Sequence, residues 1–213
     1  LRFALSAAVL GLLVHPSARV LLSFTPDQAV ANSAYQRRTD FAAQCINRDQ
    51  AAQPSGDYAR QAILSDEGEG PMLLYRTGRP VVSAPYHRAL PGIMEAARFF
   101  AERDPAEARA QLDRLGVRYI VVPQRPHEQL MYFEKLVFGE LRSFDPPTER
   151  INESGRLQRQ LHYRPEFVQT VAYRLAMQPD RETLRGVRCV QTIFEGAKTP
   201  DGRPFETGLL YVV

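Results

Sequence analysis

The sequence predicts an α/β domain: a small, mostly parallel sheet with crossover helices in a Rossmann-like layout, an antiparallel edge hairpin, and an N-terminal membrane helix ahead of it. Three observations carry this expectation. Short apolar runs at residues 62–64, 81–82 and 119–122 alternate with segments of helical periodicity, as parallel strands joined by crossover helices do. Gly and Pro fall at the ends of those segments, where helices start and stop. Two further apolar runs, residues 187–194 and 208–213, flank a stretch with Gly, Pro and one Lys whose turn is Pro200-Asp201-Gly202, the pattern of an antiparallel hairpin.

The first element is the apolar run FALSAAVLGLLV at residues 3–14. A bilayer needs about 20 residues, so the run alone is too short. Extension to Leu22 reaches that length but takes in His15, Pro16 and Arg19. Three readings compete: the end of a transmembrane helix, a signal peptide with Arg2 as its basic start, and a buried helix that lacks a polar face. The start at Leu1 rather than Met favours the first. Residues 1–22 are therefore assigned to the end of a transmembrane helix, 23–57 to a connecting segment and 58–213 to an extracytoplasmic α/β domain.

Within the connector, residues 36–48 fit a helix with Phe41 and Cys45 on one face, and the turn cluster at residues 53–57 closes it. Gly70-Pro71 opens a short helix that Gly78 ends, since Pro suits a first turn and Gly the left-handed cap. Leu90-Pro91-Gly92 opens the next helix, where Ile93, Ala97 and Phe100 form an apolar stripe. Asp104 caps a third helix, with Pro105 after it and Glu107 in the capping-box position, and Gly116 ends it. Residues 128–141 read as a helix with Leu130, Phe133 and Val137 on one side, and residues 148–161 as a polar helix carrying Ile151, Leu157 and Leu161. Residues 165–176 fit either a helix or a strand.

Composition excludes several function classes. The net charge of +3 is small and the basic residues, nearly all Arg, are scattered, which argues against a nucleic-acid partner. No phosphate-binding glycine loop, nucleophile elbow, His-Glu-x-x-His or Cys-x-x-Cys occurs. The two cysteines, Cys45 and Cys189, fit one disulfide or two ordinary thiols equally.

Candidate chemistry lies in the loops after the predicted parallel strands, which share one rim where such folds bind ligands. The first loop holds three carboxylates, Asp66, Glu67 and Glu69, a set suited to a hard cation or to sugar hydroxyls. Acids before a helix are also favoured by its dipole, with no ligand needed. The second loop holds Tyr86, His87 and Arg88, a phenol, a proton-exchanging imidazole and an anion-binding guanidinium. Its alternative role is a clasp in which Arg88 pairs with Asp66 or Glu67. The third loop, Pro123-Gln124-Arg125-Pro126-His127, completes the rim.

On these residues, the stretch 63–122 resembles the extracytoplasmic C-terminal domain of GT-C membrane glycosyltransferases, and within them the catalytic subunit of oligosaccharyltransferase. Leu64-Ser65-Asp66-Glu67-Gly68-Glu69-Gly70 stands where that family carries a strand ending in Ser-Trp-Trp-Asp-Tyr-Gly. Val117-Arg118-Tyr119-Ile120-Val121-Val122 stands where it carries a strand ending in Asp-Tyr-Val-Leu-Val, and the Asp104 to Leu115 helix has its counterpart. The chain has no Trp, and Gly68 falls at the motif's Asp, so acceptor-peptide recognition is not carried over. Uncharacterised bacterial members, with Ala84-Pro85-Tyr86-His87-Arg88 as the telling stretch, are the better match.

The resemblance implies a domain facing the periplasm or cell exterior at the inner (plasma) membrane. Its implied partners are the lipid bilayer, a polyprenyl-phosphate-linked sugar donor and an upstream membrane domain. In the family the catalytic acids and a divalent metal belong to loops of the membrane portion, so no catalytic residue is assigned here. Asp66, Glu67, Glu69, Tyr86, His87 and Arg88 would then make donor or acceptor contacts. The alternative is a non-catalytic module that packs on the membrane domain or binds a partner.

Overall fold

A computed structural model describes residues 26–52, 61–85, 89–146, 148–151, 157–179, 181–198 and 204–213. The chain divides into two units, Leu1–Arg38 and Thr39–Val213. The expected membrane helix at residues 1–22 lies outside the described residues. Among the described ones no helix is long and apolar enough to cross a membrane. Helix α1 spans Pro26–Ala52, longer than the 36–48 expected, because the sequence offers no Gly or Pro to stop it between those ends.

The second unit is built on a four-stranded sheet of β1 (Ala62–Leu64), β2 (Val117–Val121), β5 (Arg188–Lys198) and β6 (Pro204–Val212). Their order is β1-β2-β6-β5. β1 and β2 are parallel, with Ile63 opposite Tyr119, and Val81 adds a parallel bridge to Ile63. β6 is antiparallel to both β2 and β5. The C-terminal hairpin expected at the edge is therefore present, but the sheet is mixed rather than mostly parallel. Residues 81–82 contribute one bridge instead of a full strand, so the antiparallel pairings weigh more.

The sheet's pleat divides the core in two. Tyr119, Val121, Leu210 and Val212 face one side, where Ala42, Ala43 and Ile46 of α1 and Leu73 of α2 (Gly70–Thr77) cover them. Ile120, Val122 and Tyr211 face the other side. There they meet α3 (Leu90–Ala101), α4 (Pro105–Leu115), α5 (Pro126–Phe138) and α6 (Val171–Met177). Phe100 of α3 stacks on Phe133 of α5 with ring centres 5.5 Å apart, both fully buried. Each such ring contributes about 3 kcal/mol by its burial.

The helix ends follow the punctuation of the sequence. Gly78 and Gly116 close α2 and α4 in the left-handed conformation. Asp104 caps α4 through the amide of Ala106, 2.8 Å away. Glu107 does not complete the expected capping box. Glu102 takes that place, its Oε1 accepting the amides of Arg103 and Asp104 at 2.7 and 2.9 Å.

Residues 148–161 are not a helix. They form the hairpin β3 (Thr148–Ile151) and β4 (Leu157–Gln160), a sheet of its own. Its base is held by a bridge between Phe144 and Tyr163 and by the Arg164–Asp145 ion pair at 2.9 Å. The ambiguous 165–176 stretch resolves into a 3-10 turn, Pro165–Gln169, and α6. Buried Glu134 fastens the α5 exit: Arg142 and Ser143 both donate their backbone amides to it, at 2.7 and 2.9 Å, and Ser143 adds its hydroxyl.

Candidate functional site

The parallel pairings of β1 with β2 and of Ile63 with Val81 send all three candidate loops off one edge of the sheet. β6 runs the other way, so its residues Thr207 and Gly208, just past the Leu210–Val121 pair, reach the same end. The rim therefore exists as a place, built by strand direction alone.

Two glycines set its geometry. A side chain on Gly70, the first residue of α2, would meet the Ser83 carbonyl oxygen at 1.9 Å. One on Gly92 in the first turn of α3 would meet the Val82 carbonyl oxygen at 1.8 Å. The extended segment after Val81 thus threads between the first turns of two helices, an approach open only to glycine.

The three acids of the first loop divide their labour. Asp66 is almost fully buried, and its Oδ1 accepts the Glu69 amide at 2.9 Å while its carbonyl accepts the Gly70 amide at 3.3 Å. It holds the turn that starts α2. Glu69 is fully buried at the head of the helix. Glu67 is half-buried on the rim side, and its Oε2 is shielded from solvent with no hydrogen-bond partner among the described residues. Burial raises its pKa, its own backbone amide opposes the shift, and the charge of Asp66 adds to it.

A residue the sequence did not flag stands beside it. Tyr132 on α5 is 43% exposed, and its phenol is pushed above its ordinary value by burial and then by the charge of Glu67. The helical stripe of Leu130, Phe133 and Val137 already implied that Tyr132 points away from the core. What no local pattern revealed is that this outward face overlooks the acidic loop. Ser83, buried with an unpartnered hydroxyl among the described residues, was likewise unmarked.

The third loop lines a cavity of about 340 Å3 with Met177 and with Thr207 and Gly208 of β6; Arg125, His127 and Glu128 form its polar margin. Arg125 pairs with Glu128 at 3.2 Å. Tyr86, His87 and Arg88 lie outside the described residues, and so does the proposed clasp between Arg88 and the acids.

Among the described residues no three His, Cys, Asp or Glu side chains converge to hold a metal ion. Asp66 spends one carboxylate oxygen on its turn. Neither Cys45 nor Cys189 is in a disulfide. They pack into the clusters on opposite faces of the sheet, which removes the disulfide alternative in this fold.

No match to a curated protein was found. Among solved structures, the chain is similar to the C-terminal globular domain of an oligosaccharyltransferase from Archaeoglobus fulgidus. That alignment has 17% identity over 90% of this chain and 99% of that one, with a TM-score of 0.48. A second C-terminal globular domain of oligosaccharyltransferase from the same organism gives 19% identity, 82% and 94% coverage and a TM-score of 0.48. The archaeal oligosaccharyltransferase AglB of that organism, in complex with an inhibitory peptide and a dolichol-phosphate, gives 13% identity and a TM-score of 0.49. This alignment covers 69% of the present chain and 19% of AglB, so the chain corresponds to about a fifth of the whole enzyme's length. The family model of the AglB core domain matches residues 16–126, just over half of the chain, and includes both β1 with its acidic loop and β2. The chain belongs to the AglB core-like domain family.

Proposed function

We propose that this chain is the extracytoplasmic domain of a membrane glycosyltransferase that takes sugar from a polyprenyl-phosphate-linked donor. In this reading the domain contributes contacts on the donor and acceptor side and not the catalytic acid. The observation that carries it is the family match across residues 16–126, which spans the acidic loop at the sheet's rim. A dolichol-phosphate accompanies the related archaeal AglB, and a lipid-linked donor is the corresponding chemistry here. The contact residues are Glu67 and Tyr132, with Tyr86, His87 and Arg88 completing the rim. Asp66 and Glu69 serve as its frame. The domain works outside the cytoplasm at the membrane surface, joined to an upstream membrane domain that holds the catalytic acids and the metal.

The experiment uses the full-length protein in membranes and measures glycan transfer from a polyprenyl-phosphate-linked sugar. Glu67→Gln is expected to lower transfer about tenfold, the loss of roughly one charge-assisted contact, while the melting temperature does not fall. Unchanged transfer would refute a contact role for the rim. It would leave the domain as a packing or partner-binding module, the reading that the structural duties of Asp66 favour.

A further inference from the structure

The solvent side of the helical layer carries a second surface. α4 packs closely on β2, but its approach to α3 and α5 is slight, and among the three helices lies an open groove of about 470 Å3. α3 and α4 run antiparallel, joined by the turn at residues 102–104. A cross-tie holds them at the far end from that turn. Gln111 Nε2 donates to the Glu95 carbonyl at 2.7 Å and to its carboxylate at 2.8 Å, and Arg114 donates to the same carboxylate at 2.7 Å. Val137 and Phe138, at the end of α5, supply the apolar wall.

The two ends of the groove carry opposite charge. At the cross-tied end Arg98 and Arg114 share the single carboxylate of Glu95, at 3.5 and 2.7 Å, which leaves one positive charge over. At the turn end Glu102 and Glu107 have no cationic partner among the described residues, and Glu102 spends one oxygen on the amides of Arg103 and Asp104. The ridge of α4 repeats this polarity with little bulk. Glu107, Ala110 and Arg114 lie exposed along it, while Asp113 is neutralised within the helix by Arg109 at 2.7 Å. Glu107 and Arg114 stand about 10 Å apart along the axis, with Ala110 between them. A methyl at that midpoint lets a second helix approach to an axial separation of about 8 Å.

We infer that this surface is a dimer contact, in which two copies of the chain pair α4 with α4 in antiparallel about a two-fold axis at Ala110. Glu107 of each copy then meets Arg114 of the other, so both opposite-charge contacts form together, as a self-complementary interface requires. Each α4 lies in the groove of the other copy, sheltered by Val137 and Phe138. The charge order selects this occupant. A parallel pairing would set Glu107 against Glu107 and Arg114 against Arg114, whereas the antiparallel one matches every charge on the ridge. The contact is one short helix a side, below the standard interface size, so the dimer is a weak one.

The test is sedimentation equilibrium of the chain of residues 1–213, at concentrations up to about 1 mM. A monomer–dimer equilibrium is expected. Glu107→Arg and Arg114→Glu should each weaken it about tenfold or more, because either one turns two attractive contacts into two repulsive ones. An equimolar mixture of the two single variants should associate again, since each position 107 then faces a position 114 of opposite charge. Ala110→Glu sets two like charges on the axis from an exposed position, and should weaken the dimer as much without touching the Glu95 tie. Circular dichroism checks that each variant is folded. A chain that stays monomeric over the whole range overturns the inference. So does a dimer that folded variants leave unchanged, the result expected of association through the apolar start at residues 3–14. So does a mixture of folded single variants that does not associate.

Discussion

Burial raises the pKa of Glu67, so folding favours its protonated form. From its ordinary value of 4.5 up to the raised folded value, the native state keeps a proton that the unfolded chain has released. Stability from this group therefore falls as pH rises through that window and is flat above it. Glu67→Gln removes the dependence: thermal melts should show the variant more stable at neutral pH, by about 1 kcal/mol or less, and equal to the parent below the window. A variant less stable at neutral pH would mean that the carboxylate is held by a charge partner instead. The acids themselves were legible because they are adjacent in sequence. Their separate duties were not, since the burial of Asp66 and the approach of Tyr132 both depend on elements far along the chain.

At the scale of elements, α2, α3 and α4 were readable because each carries its own start and stop in a few residues. Gly78 and Gly116 adopt the left-handed caps that their positions implied. The hairpin of β3 and β4 was misread because Ile151, Leu157 and Leu161 were taken for one helical face. Pairing of Thr148 with Gln160 is a contact across the turn, which periodicity does not see. Gly92 was read only as a helix opener, and the structure adds a reason for it. Gly92→Ala would drive a methyl into the Val82 carbonyl, forcing α3 away from the sheet. The expected loss is about 3 kcal/mol, read by chemical denaturation. The same substitution at Gly78, where nothing lies within 4 Å, meets no such wall and costs only the backbone strain of its positive φ, about 1 kcal/mol.

For the whole molecule the sheet order decides more than any local motif. The parallel half was visible in the sequence as strand and helix alternating. The insertion of β6 between β2 and β5 was not, because hairpins announce their own pairing but not the neighbour they dock against. Deleting residues 204–213 would strip a partner from both β2 and β5 and uncover Ile120 and Val121. Such a chain is expected to lose its cooperative thermal transition and to bind hydrophobic dyes, and a sharp native-like melt would contradict the central role of β6. The same placement sets a clock during synthesis. The ribosome finishes β2 at Val121 and does not begin β6 until Pro204, an interval of roughly ten seconds at ordinary elongation rates. Throughout it one edge of β2 waits unpaired, and the nascent domain depends on its surroundings to keep that edge from other chains.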